Sequence, residues 1–298
     1  MSRHIDFTIE ADGFRGRFYK GCRENCAVIF VGGFGISEMM SVKSSQFLLE
    51  SGYSVMVLGL YLWEGLSKDM WHIPVEYAER AAAWLAENGH GRIAVVGIST
   101  GAAYALLSAS KLPQITCAVA VSPFDHVMEG ARLFGERTGR SVYCFRGEDV
   151  PFSRFTGLEN GWGRPVVRAA RRHELADFSR KSYESAELSE ESRIRTEDIN
   201  GGILLICPDN DEFYPSDEAV TRIVESLRAS GFGHRVKALR YKGASHALGS
   251  WCTDEAGVKI FLRTHLTAER KRPIACAEAR RKSTLAIVDF LDSWAEEK

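Results

Sequence analysis

The chain has 298 residues, 45% hydrophobic and 26% charged, an ordinary globular usage that excludes a disordered, collagenous or coiled-coil protein. Lysine and arginine number 38 against 39 aspartates and glutamates, a formal charge of −1, so no overall field draws the chain to nucleic acid or an anionic membrane. The opening MSRHIDFTIEADGF has no apolar stretch of signal-peptide length, and no run of about eighteen apolar residues occurs anywhere, so a soluble, cytoplasmic protein without a membrane partner is expected.

In chain order, HIDFTIE and FRGRFYK alternate apolar and polar residues about Ala11-Asp12-Gly13 and predict a hairpin with a tight turn. Short runs then follow at CAVIFV, SVMVLGL, IAVVG, CAVAV, ILLIC and RVKAL. They are apolar almost throughout, as strands covered on both faces are. Helix signals alternate with them. One helix is expected over residues 38–50, stopped at Ser51-Gly52, and a second opens at Pro74, suited to a first helical turn, and stops at Asn88-Gly89. Others are expected over 102–110, 216–230 and 277–297. Strand and helix in alternation give a mostly parallel central sheet flanked by helices.

Between Val121 and Ile203 no clear strand is visible for about eighty residues, too long for an ordinary loop. Residues 123–196 are therefore expected to be a cap inserted after the sixth core strand of a single domain spanning 1–298. Its first part is basic, with Arg132, Arg137, Arg140, Arg146, Arg154, Arg164, Arg168, Arg171, Arg172, Arg180 and Lys181, and residues 184–198 are acidic. The charges either face water or include arginines that bind a phosphorylated or carboxylated substrate.

The chemistry centres on Gly97-Ile98-Ser99-Thr100-Gly101, a G-x-S-x-G directly after a strand and before a helix. A serine on so sharp a turn projects its hydroxyl above the sheet, and flanking glycines let strand and helix pack closely. A serine hydroxyl needs a base and a group that orients the base. Pro208-Asp209-Asn210-Asp211-Glu212 follows one late strand and Gly243-Ala244-Ser245-His246 the next. His246 is the base expected. Asp209, Asp211 and Glu212 compete as its partner; Asp211, in the turn, is favoured, and Glu212 is expected to point to solvent. The other histidines, His126 among them, read as surface or helix-end residues with no metal-ligand spacing.

Val31-Gly32-Gly33-Phe34-Gly35 suits an oxyanion hole, with the amides of Phe34 and Thr100 as donors. The same glycines lack the spacing of a dinucleotide-binding loop. Seven scattered cysteines, Cys22, Cys26, Cys117, Cys144, Cys207, Cys252 and Cys276, form no disulfide framework, and Cys22 with Cys26 has no second ligand pair for zinc. Trp63, Trp71, Trp162, Phe34 and Trp251 are core residues or line an acyl pocket.

With Ser99, Asp211 and His246 in this order, the chain resembles an α/β-hydrolase, and more narrowly the catalytic domain shared by acyl-CoA thioesterases and bile acid-CoA:amino acid N-acyltransferase. The likeness runs through VGGFGISE, LLESGYSVMVLGL, LWEGLSKDM, IPVEYAERAAAWL, IAVVGISTGAAYALLSAS, PDNDEFYPSDEA, YKGASHAL and AEARRKSTLAIVDFL. It implies Ser99 as nucleophile, Asp211 as acid and His246 as base. Serine in place of cysteine implies water as acyl acceptor. The expected function is hydrolysis of a thioester or ester, acyl-CoA foremost, with neither metal nor organic cofactor. The alternatives are a carboxylesterase, an acyltransferase to a small amine or alcohol, and a binding protein on the same scaffold.

Overall fold

The computed structural model describes residues 4–33, 35–132, 137–158, 160–249 and 255–297. Strand β1 (His4–Phe7), the one-turn helix α1 (Ile9–Asp12), β2 (Arg15–Tyr19) and β3 (Cys26–Val31) lead into α2 (Glu38–Glu50) and β4 (Ser54–Gly59). Next come β5 (Ile73–Pro74), α3 (Glu76–Glu87), β6 (Arg92–Ile98), α4 (Thr100–Lys111) and β7 (Ile115–Val121). The stretch expected as a cap carries β8 (Tyr143–Phe145), β9 (Glu148–Asp149), α5 (Gly163–Arg171), α6 (Leu175–Glu184) and two 3-10 turns. The chain closes with β10 (Gly202–Pro208), α7 (Ser216–Ala229), β11 (Val236–Tyr241), α8 (Ala256–His265), α9 (Thr267–Lys271) and α10 (Pro273–Glu296).

Eight strands form the main sheet in the order β1-β2-β4-β3-β6-β7-β10-β11. The β1–β2 and β2–β4 pairs are antiparallel and the rest parallel. Because side chains alternate across a strand, β3 sends Ala27, Ile29 and Val31 to one face and Val28 and Phe30 to the other. The first face is covered by α3, α4 and α7, through residues such as Leu85, Leu106 and Ile223. The second is covered by α2 and α10, through Leu48, Phe290 and Trp294.

Three expectations are corrected. The hairpin pairs as predicted, His4 opposite Tyr19, but its connection is α1, capped by Thr8, whose hydroxyl accepts from the Ala11 amide. A threonine three residues before a free amide favours a helical turn over a tight one. Pro74 does not open a helix. It lies in β5, which pairs with Tyr143 and Cys144 of β8, and α3 begins two residues later. RVKAL is not covered on both faces: β11 is the sheet edge, paired only with β10, and alternates between exposed and half-buried residues.

Within residues 123–201, β8 and β9 join β5 in a three-stranded sheet, strands too short to announce themselves in the sequence. Val127, Tyr143, Ile194 and Ile199 pack into the main core. Phe124, Met128, Phe155 and Leu158 form a separate cluster with Tyr214. No helix among the described residues is long and apolar enough to cross a membrane.

Candidate active site

Ser99 follows β6 with φ 59° and ψ −123°, a backbone conformation costly for a non-glycine residue. Its amide donates to Val121 in β7 at 2.8 Å, and the Ser122 amide donates to Ile206 in β10 at 2.7 Å. The sheet's hydrogen bonding thus continues into the loops and fixes the serine above the strand ends. The flanking glycines are sterically required. A Cβ on Gly97 would lie 2.1 Å from the Gly101 carbonyl oxygen, and one on Gly101 would lie 2.4 Å from that of Gly32.

The two loops after β10 and β11 bring the remaining expected residues to this serine. His246 Nε2 is 2.9 Å from Ser99 Oγ, and His246 Nδ1 is 2.8 Å from Asp211 Oδ2 and 3.0 Å from Oδ1. With the Nδ1 proton facing the carboxylate, Nε2 is left as the acceptor for the serine hydroxyl. Ser99, His246 and Asp211 are 5%, 4% and 0% exposed. Asp211 also accepts from the Phe213 amide at 2.9 Å and from the Ser216 hydroxyl, so the buried carboxylate is held in one orientation. The other two acids are occupied elsewhere. Asp209 accepts from the Gly243 amide at 3.0 Å. Glu212 does not point to solvent; it accepts from the Ala268 amide in the first turn of α9 at 3.0 Å, where a carboxylate meets unpaired helical N–H groups.

The His246 loop is anchored from three sides. Ser122 Oγ donates to the His246 carbonyl at 2.9 Å, and the Gly249 amide donates to Ser283 in α10 at 2.9 Å. Ser245 donates to the buried Glu269, which Arg280 pairs.

Of the two expected oxyanion donors, Phe34 lies outside the described residues. Thr100 is the first residue of α4, where an amide has no acceptor within its helix, and its carbonyl accepts from the Tyr143 hydroxyl at 2.9 Å. The neighbouring Gly35 amide donates to Tyr61 at 2.7 Å.

Tyr214 escaped the sequence reading. Its hydroxyl is 3.1 Å from Ser99 Oγ and 2.7 Å from the Ser122 carbonyl oxygen, and its ring packs edge-on to His246. Burial raises its pKa well above that of an ordinary phenol, so it stays protonated. Its position three residues after Asp211 was the one available signal.

A cavity of about 690 Å³ opens over Ser99 and His246. Met40, Phe124, Met128, Phe155, Trp162, Phe178, Tyr183 and Leu262 contribute a predominantly apolar, aromatic wall. Several cations of the basic stretch in residues 132–181 are paired with carboxylates, and Arg132 lines the cavity. Arg137 pairs with Glu129, Arg140 with Asp149, Arg146 with Glu79, Arg180 with Glu184 and Lys181 with Asp177, while Arg164, Arg168, Arg171 and Arg172 are exposed on or beside α5. Four of these five acids lie within nine positions of their cation, and only Glu79 is distant from its partner.

Among the aromatics singled out, Trp162 lines the cavity, Trp63 is core and donates to the Ile36 carbonyl at 3.1 Å, and Trp71 stacks against Arg132. Trp251 and Cys252 lie outside the described residues. Cys22 is exposed, and Cys26, Cys117, Cys144, Cys207 and Cys276 are buried free thiols. Among the described residues no group of three or more His, Cys, Asp or Glu could hold a metal. His126 and His90 are buried, at 8% and 6% exposure, contrary to the surface reading.

The fold has many counterparts of low sequence identity. The α/β hydrolase GrgF from Penicillium sp. is 17% identical, with 89% of this chain and 98% of that one covered and a TM-score of 0.54. The esterase Est22 is 16% identical, covering 97% and 78%, with a TM-score of 0.53. The Pyrococcus furiosus esterase Pf2001 is 17% identical over 95% and 93%, with a TM-score of 0.50. No curated protein matches the sequence. The family described as BAAT / acyl-CoA thioester hydrolase C terminal matches residues 73–261, a span that holds Ser99, Asp211 and His246. By that match over more than half its length the chain belongs to the BAAT and acyl-CoA thioester hydrolase C-terminal family, on an α/β-hydrolase fold.

Proposed function

We propose that the protein is a serine hydrolase that cleaves an ester or thioester through an acyl-enzyme on Ser99. The observation that carries this reading is the continuous chain from Ser99 Oγ to His246 at 2.9 Å and from His246 to Asp211 at 2.8 Å, beneath an apolar cavity. Ser99 Oγ attacks the acyl carbonyl carbon while its proton passes to His246 Nε2, and Asp211 stabilises the imidazolium that forms. The oxyanion is met by the Thr100 amide at the start of α4 and by the Phe34 amide. Collapse breaks the bond to the leaving thiolate or alkoxide, which takes the proton from His246. Water then adds to the acyl-enzyme, giving one proton to His246, and the proton returns to Ser99 as the carboxylic acid leaves.

The family name and the aromatic cavity favour an acyl thioester, acyl-CoA among them. Residues 123–196 are the cap of this site, supplying Phe124, Phe155, Trp162 and Tyr183 to its wall. A second reading, a carboxylesterase of simple esters, is favoured by the predominantly apolar wall of the cavity and by the pairing of Arg137, Arg140 and Arg146 with carboxylates. Thiol release from acyl-CoAs of several chain lengths, measured beside hydrolysis of matched simple esters, separates the two. Faster acyl-CoA turnover supports the thioesterase; comparable or faster turnover of simple esters selects the carboxylesterase. Product analysis with added amines and alcohols distinguishes transfer from hydrolysis.

A further inference from the structure

One wall of the cavity is a continuous array of rings. Tyr214 packs edge-on to His246 with centroids 4.7 Å apart and lies 5.0 Å from Tyr183. Tyr183 is edge-on to Phe124 at 4.7 Å and to Phe155 at 5.0 Å, and Phe155 is edge-on to Trp162 at 4.7 Å. The array runs from His246 to the residue that precedes α5, and every ring in it lines the cavity. Ten of the 37 residues lining the cavity are Phe, Tyr or Trp, types that make up only 10% of the chain. Four of the chain's six methionines, Met39, Met40, Met70 and Met128, line it as well. The core under α3, α4 and α7 is filled mainly by Ala, Val, Ile and Leu instead, so rings and thioethers are concentrated at the cavity rather than spread through the interior.

An aromatic ring has a negative face and a positive edge, and ring pairs prefer edge-to-face or offset contact. Three pairs of the array satisfy that preference within the protein, at interplanar angles of 72° to 89°. Trp162, Phe178 and Tyr183 are nevertheless only partly buried and keep ring surface on the cavity. A ligand ring entering there extends the same pattern and meets thioether sulfurs, which are attracted to aromatic groups. A saturated chain gains only burial and dispersion from the same wall.

We propose that the cavity selects acyl groups that carry an aromatic ring. This assignment rests on the reading of the cavity as an acyl site. Tyr214 adjoins both Ser99 and His246, so an acyl group held at Ser99 meets the ring array from its first carbons onward, and Phe124, Phe155, Trp162 and Tyr183 continue the contact outward.

Three N-acetylcysteamine thioesters whose acyl groups have the same number of carbons, 3-phenylpropanoyl, 3-cyclohexylpropanoyl and nonanoyl, test the selection. Burial alone ranks the phenyl compound last, because the saturated groups are more hydrophobic. Contact between rings reverses that order, each favourable pair adding roughly 2- to 13-fold. Thiol release by the unmodified protein gives kcat/KM, and isothermal titration against Ser99→Ala gives binding without turnover. The expected result is a preference of at least about threefold for the phenyl compound over each saturated one. Phe155→Leu and Trp162→Leu each remove one ring of the array and are expected to lower the phenyl-to-cyclohexyl ratio by about twofold or more. A smaller preference in the unmodified protein, a preference for a saturated group, or a ratio that neither variant lowers overturns the proposal. If the leucine variants do not fold, the ranking of the three thioesters by the unmodified protein decides. Absence of turnover of all three, with the ranking present in binding to Ser99→Ala, overturns the hydrolase reading and leaves the selection for a ring standing.

Discussion

The Tyr214 hydroxyl lies 3.1 Å from Ser99 Oγ. Ser99 has one hydroxyl proton and gives it to His246 Nε2, so the Tyr214 hydroxyl is the donor to Ser99 Oγ, its proton shared with the Ser122 carbonyl oxygen at 2.7 Å. A neutral hydrogen bond contributes about 0.5–1.5 kcal/mol. Tyr214→Phe is therefore expected to lower kcat by roughly 2- to 13-fold, with KM nearly unchanged. Steady-state kinetics on one activated ester check this, and an unchanged kcat reduces the contact to packing.

Asp211 and Asp209 stand two residues apart with different partners, His246 for one and the Gly243 amide for the other. Asp211→Asn is expected to reduce kcat by about 10⁴-fold, the scale set by loss of the carboxylate that fixes a catalytic imidazole. Asp209→Asn keeps an amide oxygen for Gly243 and is expected to cost less than about tenfold, since a single neutral hydrogen bond is at stake. Parallel assays of the two variants decide which acid serves His246.

Gly101→Ala places a methyl group 2.4 Å from the Gly32 carbonyl oxygen. Backbone on both sides resists, so the variant should lose at least about 1–3 kcal/mol of stability and most of its activity. Gly257→Ala is the contrast: it sits in α8 with open space about the added carbon, and helix propensity predicts a gain of up to about 1 kcal/mol. Urea denaturation of both gives the comparison.

Asp125 supplies a pH dependence. Burial raises its pKa, but hydrogen bonds from Arg222 and His126 and the charge of Arg222 outweigh burial and hold it below the ordinary 3.8. A depressed folded-state pKa means the stabilisation is complete above the unfolded value and fades as pH falls through the folded one. Arg222→Ala leaves a buried carboxylate alone. Its expected cost near neutral pH is about 2–3 kcal/mol, less than for a fully buried pair because Arg222 is 38% exposed. Denaturation midpoints of the two proteins should converge only as pH falls below 3.8 and through the depressed value at which the Asp125 carboxyl protonates.

How far the sequence could be read follows from the range of each interaction. Ser99 is visible because strand, turn and helix are consecutive, and the covered strands β3, β4, β6, β7 and β10 because their apolar runs are continuous. The convergence of Ser99, Asp211 and His246 follows from strand order once a parallel sheet is assumed. Contacts without local pattern are not legible. Tyr214 meets Ser99 across 115 positions, and Arg146 finds Glu79 across 67, so neither pairing is written near the residue concerned. His126 was misjudged for the same reason. Its two-residue alternation with Phe124 and Met128 is short and interrupted by a charged residue whose partner, Arg222, lies 97 positions away.

Hydrolysis as proposed requires Ser99 Oγ as the atom that becomes acylated, and mass spectrometry after treatment with an alkyl fluorophosphonate tests this directly. Folded protein should gain one phosphonyl group, located on the peptide containing Ser99, with hydrolysis of a small activated ester lost in step. Ser99→Ala should gain none, and His246→Ala should react far more slowly. Labelling undiminished in Ser99→Ala, or folded protein that hydrolyses the ester while Ser99 stays unmodified, would contradict the account.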